Sequence, residues 1–310
     1  MAGGINWDTN LFVHRFPQPG EETPVIRISR GPGGKAGNVS VAAARLLGPN
    51  RVAMIGALGL DEIAETQLRL LKDEGVETSG ITRNADSESG QAYIITDESG
   101  QNIIHTYFGA NSTLNGTDIL SKIGQETIRS TRIIVVMDPP EETVETITQI
   151  AHEAGRVIAW DPGIRAEAGM QRLRSMLARI SYLFLNEVEV EYMTGVSDAA
   201  KAVKRLSKIN PDLITILKSG NEGCTMFSRR QTIRLPGIDP TKYGLRIVNT
   251  VGCGDAFLGA FSAAKALDLN DKEALHWANS AGALKATKAE TRGSPTRSEL
   301  QKWMAHTGPR

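Results

Sequence analysis

Cysteine is scarce in this chain. Only Cys224 and Cys253 occur among 310 residues, far apart and outside any CxxC pair. No disulfide framework and no thiolate zinc site is indicated, and a reducing compartment is the default. Charge of one sign is not in excess either: Lys plus Arg is 35 and Asp plus Glu is 35. Without a global basic field, bulk binding to nucleic acid or to an anionic membrane surface is not suggested. There is no run of 18 apolar residues, and the N-terminus lacks a basic segment followed by a long apolar one. A transmembrane helix and a signal peptide are therefore not expected, and the cytoplasm is the expected location. Fixed-period repeats and low-complexity tracts are missing. So are the GxxxxGK[ST] phosphate loop, the GxGxxG dinucleotide fingerprint, HExxH and GxSxG. A nicotinamide-dependent dehydrogenase, which would need that fingerprint, loses its main support. The five histidines are scattered without metal-ligand spacing.

What is present is an alternation of short apolar runs and amphipathic stretches, with enough hydrophobic residues (40%) for a substantial core. Strands are expected at 11–16 and 25–29, then a glycine cluster, Gly31-Pro32-Gly33-Gly34-Lys35-Ala36-Gly37-Asn38, opens into an Ala-rich helix over 39–47. A buried strand at 51–57 precedes an amphipathic helix at 61–74, with Ile63, Leu68, Leu70 and Leu71 available for its apolar face. Strands at 91–96 and 103–108 flank a clear turn, Asp97-Glu98-Ser99-Gly100, and read as a hairpin. With the early strands, it suggests a small antiparallel piece apart from the main sheet. From about 117 the pattern is βαβα: strands at 132–137, 156–160, 182–185 and 213–217 alternate with helices at 141–154, 165–178, 188–193 and 199–208. A hairpin at 224–227 and 232–235 and a helix at 275–287 complete it. Strands alternating with helices predict a mainly parallel sheet covered on both faces. Ligands in such sheets bind beyond the carboxyl ends of the strands. Asp138, Asp161, Asn186 and Lys218 each stand just after a predicted strand. Any one of them alone reads as an ordinary turn residue; four in register are harder to dismiss.

The most informative stretch is 249–261, NTVGCGDAFLGAF. Arg246-Ile247-Val248 reads as a strand leading into a glycine turn and a helix N-terminus. Such a turn presents backbone N–H groups to an anion, helped by the helix dipole. A carboxylate there, Asp255, would repel a phosphate if binding were its only task. It suits a group that takes the proton from a hydroxyl attacking that phosphate. An N-cap aspartate on an ordinary helix is the alternative.

These residues resemble the ribokinase-like, phosphofructokinase B-type carbohydrate kinases, and the resemblance runs from Gly3 to about Trp303. One signature is Gly33-Gly34-Lys35…Asn38 with GALGLDEIAETQLRLLKDEGV downstream; the second is TVGCGDAFLGAF. GAN at 109–111, DPGIR at 161–165, NEVE at 186–189 and KSGNEG at 218–223 lie between. The resemblance implies a single three-layer α/β/α domain over 1–310, with a mainly parallel central sheet and a small antiparallel β lid built from about 9–30 and 87–110. It implies ATP-dependent phosphorylation of a sugar hydroxyl, with Mg²⁺ as cofactor. Asp255 resembles the catalytic base, and the N–H groups of Gly252, Cys253 and Gly254 the anion hole. Asn6, Asp8, Gly34, Lys35, Asn38 and Asp138 match positions around the sugar. Asn186 and Glu189 resemble the pair that holds Mg²⁺ beside the phosphates, Glu189 through water. Lys218, Gly220 and Gly223 resemble the loop along the nucleotide, and Asn279 a position near the adenine. Lids of this kind often pair between subunits, which implies a homodimer.

The chain departs from the family pattern in places. Only Met1-Ala2 precede Gly3, so either the first strand is shortened or the true start lies upstream. Asn249 stands where an aspartate is usual, and Glu290-Thr291 where Gly-Ala is usual. These lie near the family's monovalent cation, K⁺, whose contacts here would be Asn249 and Val251. Cys253 replaces a small residue; a thiol at a helix N-terminus is expected to be more acidic than usual, or is simply a small residue that fits. A ribose-type pentose is the leading acceptor. A nucleoside, a phosphorylated pentose or a 2-keto-3-deoxy sugar acid is the alternative within the class, and a catalytically silent sugar-binding relative the alternative outside it.

Overall fold

Near-continuous apolar runs such as Ile133–Val136 form strands that are covered on both faces. The computed structural model describes residues 1–307. Its chain begins with β1 (Asn6–Val13), β2 (Val25–Gly33), α1 (Lys35–Leu47), β3 (Val52–Leu58), α2 (Glu62–Asp73), β4 (Val76–Arg83), β5 (Gly90–Thr96) and β6 (Asn102–Tyr107). Helices α3 (Gly116–Leu120) and α4 (Lys122–Ser130) lead to β7 (Ile133–Val136), α5 (Glu141–Glu153) and β8 (Val157–Trp160). Then come α6 (Gly169–Arg172), α7 (Arg174–Leu177), β9 (Tyr182–Asn186), α8 (Glu187–Thr194), α9 (Ala199–Leu206) and β10 (Ile214–Lys218). The chain closes with β11 (Gly223–Phe227), β12 (Thr232–Pro236), α10 (Cys253–Ala266), α11 (Asp271–Lys285) and α12 (Arg297–Thr307). Among the described residues, no helix is long and apolar enough to cross a membrane.

Strands β7 to β10 are parallel neighbours, and β11 and β12 extend that sheet antiparallel. The parallel pair β3–β4 joins them through the N-terminus: Ala2 bridges Ile55 on one side and Val136 on the other. Residues 1–3 thus form the link between β7 and β3. Alternate residues divide between two cores, as period-2 strands require. Val135, Phe184 and Ile216 pack with Val39, Phe257 and Phe261 of α1 and α10. Ile134, Val136 and Leu183 pack on the other face with Val144 and Ile147 of α5. That is the α/β/α layering expected from the βαβα pattern.

The lid is a separate four-stranded sheet, ordered β2-β1-β5-β6. Its two hairpins are antiparallel as expected, but they join through a parallel pairing of β1 with β5, so the whole is mixed. Strand β1 starts at Asn6 rather than near 11, which makes Asn6 and Asp8 strand residues with fixed directions. Two other expectations need correction, and β4 carries no clear signal in the sequence. Residues 246–248 form no strand: Ile247 and Val248 are exposed, and the segment is tied by Val248 N–H to Ala286 O at 2.8 Å. β-Branched residues favour a strand only where a neighbouring strand is available. The helix expected over 165–178 is broken into a 3₁₀ turn, α6 and α7, with Gly169 at φ +75° at the break. Strand β4 lacks an apolar alternation strong enough to announce itself, since only Val76, Thr78 and Ile81 point inward. On α2 the buried face is Ala64, Gln67 and Leu71, with Ile63, Leu68 and Leu70 half-buried. Trp160 is fully buried and Trp277 half-buried.

Helices α1 and α10 meet at Gly259, where a Cβ would lie 2.4 Å from Ala42 Cβ. Gly259→Val should therefore lower unfolding free energy by about 1–3 kcal/mol through overpacking. Urea titration checks this; unchanged stability would mean the helices separate without cost.

Candidate active site

The turn from β2 into α1 brings backbone against side chains of β1. A Cβ on Gly33 would fall 2.0 Å from Asp8 Oδ1, and one on Gly34 2.4 Å from Asn6 N, with Gly34 at φ +82°. Only glycine lets this chain segment close over Asn6 and Asp8. Asn111, just beyond β6, braces the same corner: its Oδ1 accepts from Ile5 N–H at 2.9 Å, and its Nδ2 donates to Asn6 Oδ1 at 2.7 Å. Gln67 Nε2 donates to Asn6 O.

Asp255 lies in the first turn of α10, whose N-cap Gly252 has φ +85° and no side-chain cap. A Cβ on Gly252 would be 2.4 Å from Thr291 O, whereas one on Gly254 would meet open space. The three N–H groups assigned to an anion hole are not equivalent. Cys253 N–H closes the turn onto Thr250 O at 3.2 Å; among the described residues, Gly252 and Gly254 N–H have no such acceptor and stay available. Asn38 Nδ2 donates to Asp255 Oδ2 at 2.8 Å, and Asn38 Oδ1 accepts from Arg292 Nε at 3.0 Å. Asn38, assigned to the sugar, thus has both side-chain ends engaged in the protein and orients Asp255. Arg292 escaped the sequence reading, because a lone arginine beyond the last long helix carries no motif. It is buried, donates to Gly33 O at 2.6 Å, and leaves Nη1 without a partner among the described residues. It lines a cavity of about 740 Å³ beneath the lid with Asp8, Asn10, Ser29 and Thr250.

The strand-end residues converge as the register implied. Lys218 at the end of β10 forms an ion pair with Asp161 beyond β8. Lys35, the first residue of α1, has its Nζ 3.8 Å from Asp138 Oδ2. Burial opposes the charge on Lys35, yet Asp138, Asp161, Asp255 and Glu189 together hold its pKa above the ordinary value. Burial likewise raises Asp255, only partly offset by the Asn38 hydrogen bond and Lys35, so it is a stronger base than a surface aspartate. Glu189 is raised by burial and by Asp161. Asn186 and Glu189 form a reciprocal capping box on α8, each at 2.8 Å from the other's N–H. Glu189 Oε2 accepts one of these bonds, and Oε1 has no hydrogen-bond donor among the described residues. Lys218 is turned inward toward Asp161, while Gly220 at φ +54° and Gly223 at φ +99° shape the loop that follows it. Asn279 on α11 donates to Pro236 O at 2.8 Å, beside that loop. Asn249 uses its side chain internally: Nδ2 donates to Ala289 O at 2.8 Å and Oδ1 accepts from Val251 N–H at 3.0 Å. The expected acidic thiol is not found, since burial pushes Cys253 above the ordinary thiol value against the pull of Lys285.

A glycine turn with two unpartnered N–H groups, a buried carboxylate beside it and a polar cavity under a lid suit a phosphotransferase acting on a hydroxyl. Residues 2–297 match the pfkB family carbohydrate kinases, and the chain belongs to that family. Among curated relatives it is 28% identical over 295 residues to the ATP-dependent ribose-1-phosphate kinase of Halopiger xanaduensis, covering 95% of this chain and 94% of that protein. It is 29% identical over 312 residues to the ribokinase of Haemophilus influenzae, covering 99% and 98%. The fold matches Arabidopsis thaliana ribokinase, solved with ribose and ATP, at a TM-score of 0.86 and 24% identity over 98% of this chain and 97% of that one.

Burial drives Asp8 from an ordinary 3.8 to about 7, against the pull of Arg292. A carboxyl raised in the folded state costs stability as pH rises between the two values, because only the unfolded chain releases its proton there. Asp8→Asn should therefore have a flatter stability profile than the parent between those pH values and gain on it at neutral pH. Parallel denaturation curves across that range check this; identical slopes would remove Asp8 as the source.

Proposed function

We propose that the protein transfers the γ-phosphoryl group of ATP to a hydroxyl of ribose or a related pentose. The observation that carries this reading is Asp255, held by Asn38 beside the free N–H groups of Gly252 and Gly254. A binding-only relative has no use for a base at that point. The acceptor lies between β1 and α10, oriented by Asn6 and Asp8, each able to serve two hydroxyls. Asp255 takes the proton of the attacking hydroxyl, and the N–H pair with Lys35 stabilises charge on the transferring group. The lid excludes water, so phosphate is not lost to hydrolysis. The nucleotide runs along 218–223 toward Asn279. The reaction belongs in the cytoplasm, where ATP is at hand.

The donor set suits Mg²⁺ held loosely. Glu189 and Asp161 repel one another in a buried setting, which a divalent cation would relieve. Among the described residues no cluster of three acidic, histidine or cysteine groups could hold a metal alone. Mg²⁺, which keeps several waters, would be shared between Glu189, water and phosphate, and would neutralise phosphate charge there. A phosphorylated pentose is the second reading. The unpartnered Arg292 Nη1 at the cavity wall favours it, and the relative named ribose-1-phosphate kinase agrees.

ADP release with pentoses, pentose phosphates, hexoses, sugar acids and nucleosides tests the reading, with ribose or its phosphate expected to give the highest kcat/KM. Asp255→Asn should lower kcat by about 10²- to 10⁴-fold with nucleotide affinity kept. Stimulation by no acceptor, or near-normal turnover in the variant, would overturn it.

The lid is proposed as the surface of a homodimer. Ile28, Tyr93, Ile103 and Tyr107 lie on the face opposite Asp8 and are exposed. Exposed strand edges and apolar faces of this kind are normally covered. Sedimentation velocity should find a dimer, and Tyr93→Asp combined with Ile103→Asp a monomer; a monomeric parent would refute the assignment.

A further inference from the structure

Lys285, the last residue of α11, is fully buried, and lysine is almost never so unless paired. Among the described residues it has no carboxylate within ion-pair distance. Its Nζ donates instead to the main-chain oxygen of Asn249 at 2.9 Å. The side chain runs beneath the turn of the anion hole: a Cβ on Gly252 would stand 3.5 Å from Lys285 Cε. Two neighbouring carbonyls at this corner are also met by N–H groups. Ala286 O accepts from Val248 N–H at 2.8 Å and Asn249 N–H at 3.1 Å, and Ala289 O accepts from Asn249 Nδ2 at 2.8 Å. The groups facing the ammonium are Cys253, Asp255 and Glu290, which favour its charge while burial disfavours it.

We propose that Lys285 is the resident cation of the anion-hole turn: its ammonium fixes Asn249 O, sets a permanent positive charge under Gly252, and makes phosphoryl transfer independent of a soluble monovalent cation. The proposal rests on the kinase reading above. A charge fixed in a dry setting beside the turn lowers the energy of the transferring group without reorganising during the reaction. It also occupies the point at which a free cation would have to approach the Asn249 carbonyl. Lys285 is thus a positioning residue that acts through the turn.

The test is a titration with potassium chloride, and separately ammonium chloride, against tetramethylammonium chloride at matched ionic strength. The parent's kcat should not respond. Lys285→Ala, which leaves room for an ion, should lose about 10²-fold in kcat, mostly without change in acceptor KM, and regain part of it with potassium or ammonium. Lys285→Met keeps the chain length without the charge; it should lose as much and regain nothing. Activation of the parent by potassium, an unchanged kcat in Lys285→Ala, or a loss that no cation relieves would each overturn the proposal. Should neither variant fold, the parent's response decides alone. Should the parent turn over no acceptor, the kinase reading fails by itself. ADP affinity of the parent, measured by calorimetry across the same salts, still decides this proposal: potassium independence supports it and potassium-dependent tightening overturns it.

Discussion

The contact between α1 and α10 at Gly259 and Ala42 sets the distance between two helix N-termini. Both helices begin at a glycine without a side-chain cap, so their first N–H groups depend on other partners. Two positive dipole ends aimed at one place would repel each other in an empty site. Asp255 sits between them and Asn38 ties it across, joining the two helices through a single hydrogen bond of 2.8 Å. Burial raises Asp255, while the two positive helix ends near it favour a negative charge. On the proposed reading, base and anion hole would be two uses of one arrangement of backbone dipoles.

The side of the sheet from which the residues project is governed by packing rather than by polar contacts. Phe184 of β9 meets Phe257 and Phe261 of α10 edge to face, with centroids 6.3 and 5.1 Å apart. That pins α10 over the carboxyl ends of the parallel strands, where Asp138, Asp161, Asn186 and Lys218 emerge. Five carboxylates, at Asp8, Asp138, Asp161, Glu189 and Asp255, are interleaved with Lys35, Lys218 and Arg292. Asp161 pairs with Lys218 and Asp138 lies beside Lys35, while Asp8, Glu189 and Asp255, without an ion pair of their own, are pushed toward the neutral form by burial.

Much of this was legible in the chain. The βαβα rhythm announced the layered sheet, because helix and strand periods are local properties. The two glycine clusters announced helix N-termini that approach a ligand, because a missing Cβ is visible in the letters themselves. The strand-end polar residues were found by rule, as the carboxyl edge of a parallel sheet is where such residues can meet. Less legible were the parallel joint between the lid hairpins and the loop at 246–248, both of which depend on which segments become neighbours.

Residue types and spacing by themselves determined the fold class, the family and the turn that holds Asp255, since each rests on short-range patterns of glycine, charge and hydrophobic period. Tertiary structure alone decided how individual polar groups are spent. Asn38 proved to serve Asp255, Asn186 and Glu189 to cap a helix, Cys253 N–H to close a turn, and Arg292 and Lys285 to reach the site from residues far along the chain. The physical reason is that a hydrogen-bond donor or acceptor has few places to give, and which partner takes them depends on distances that only the folded chain sets.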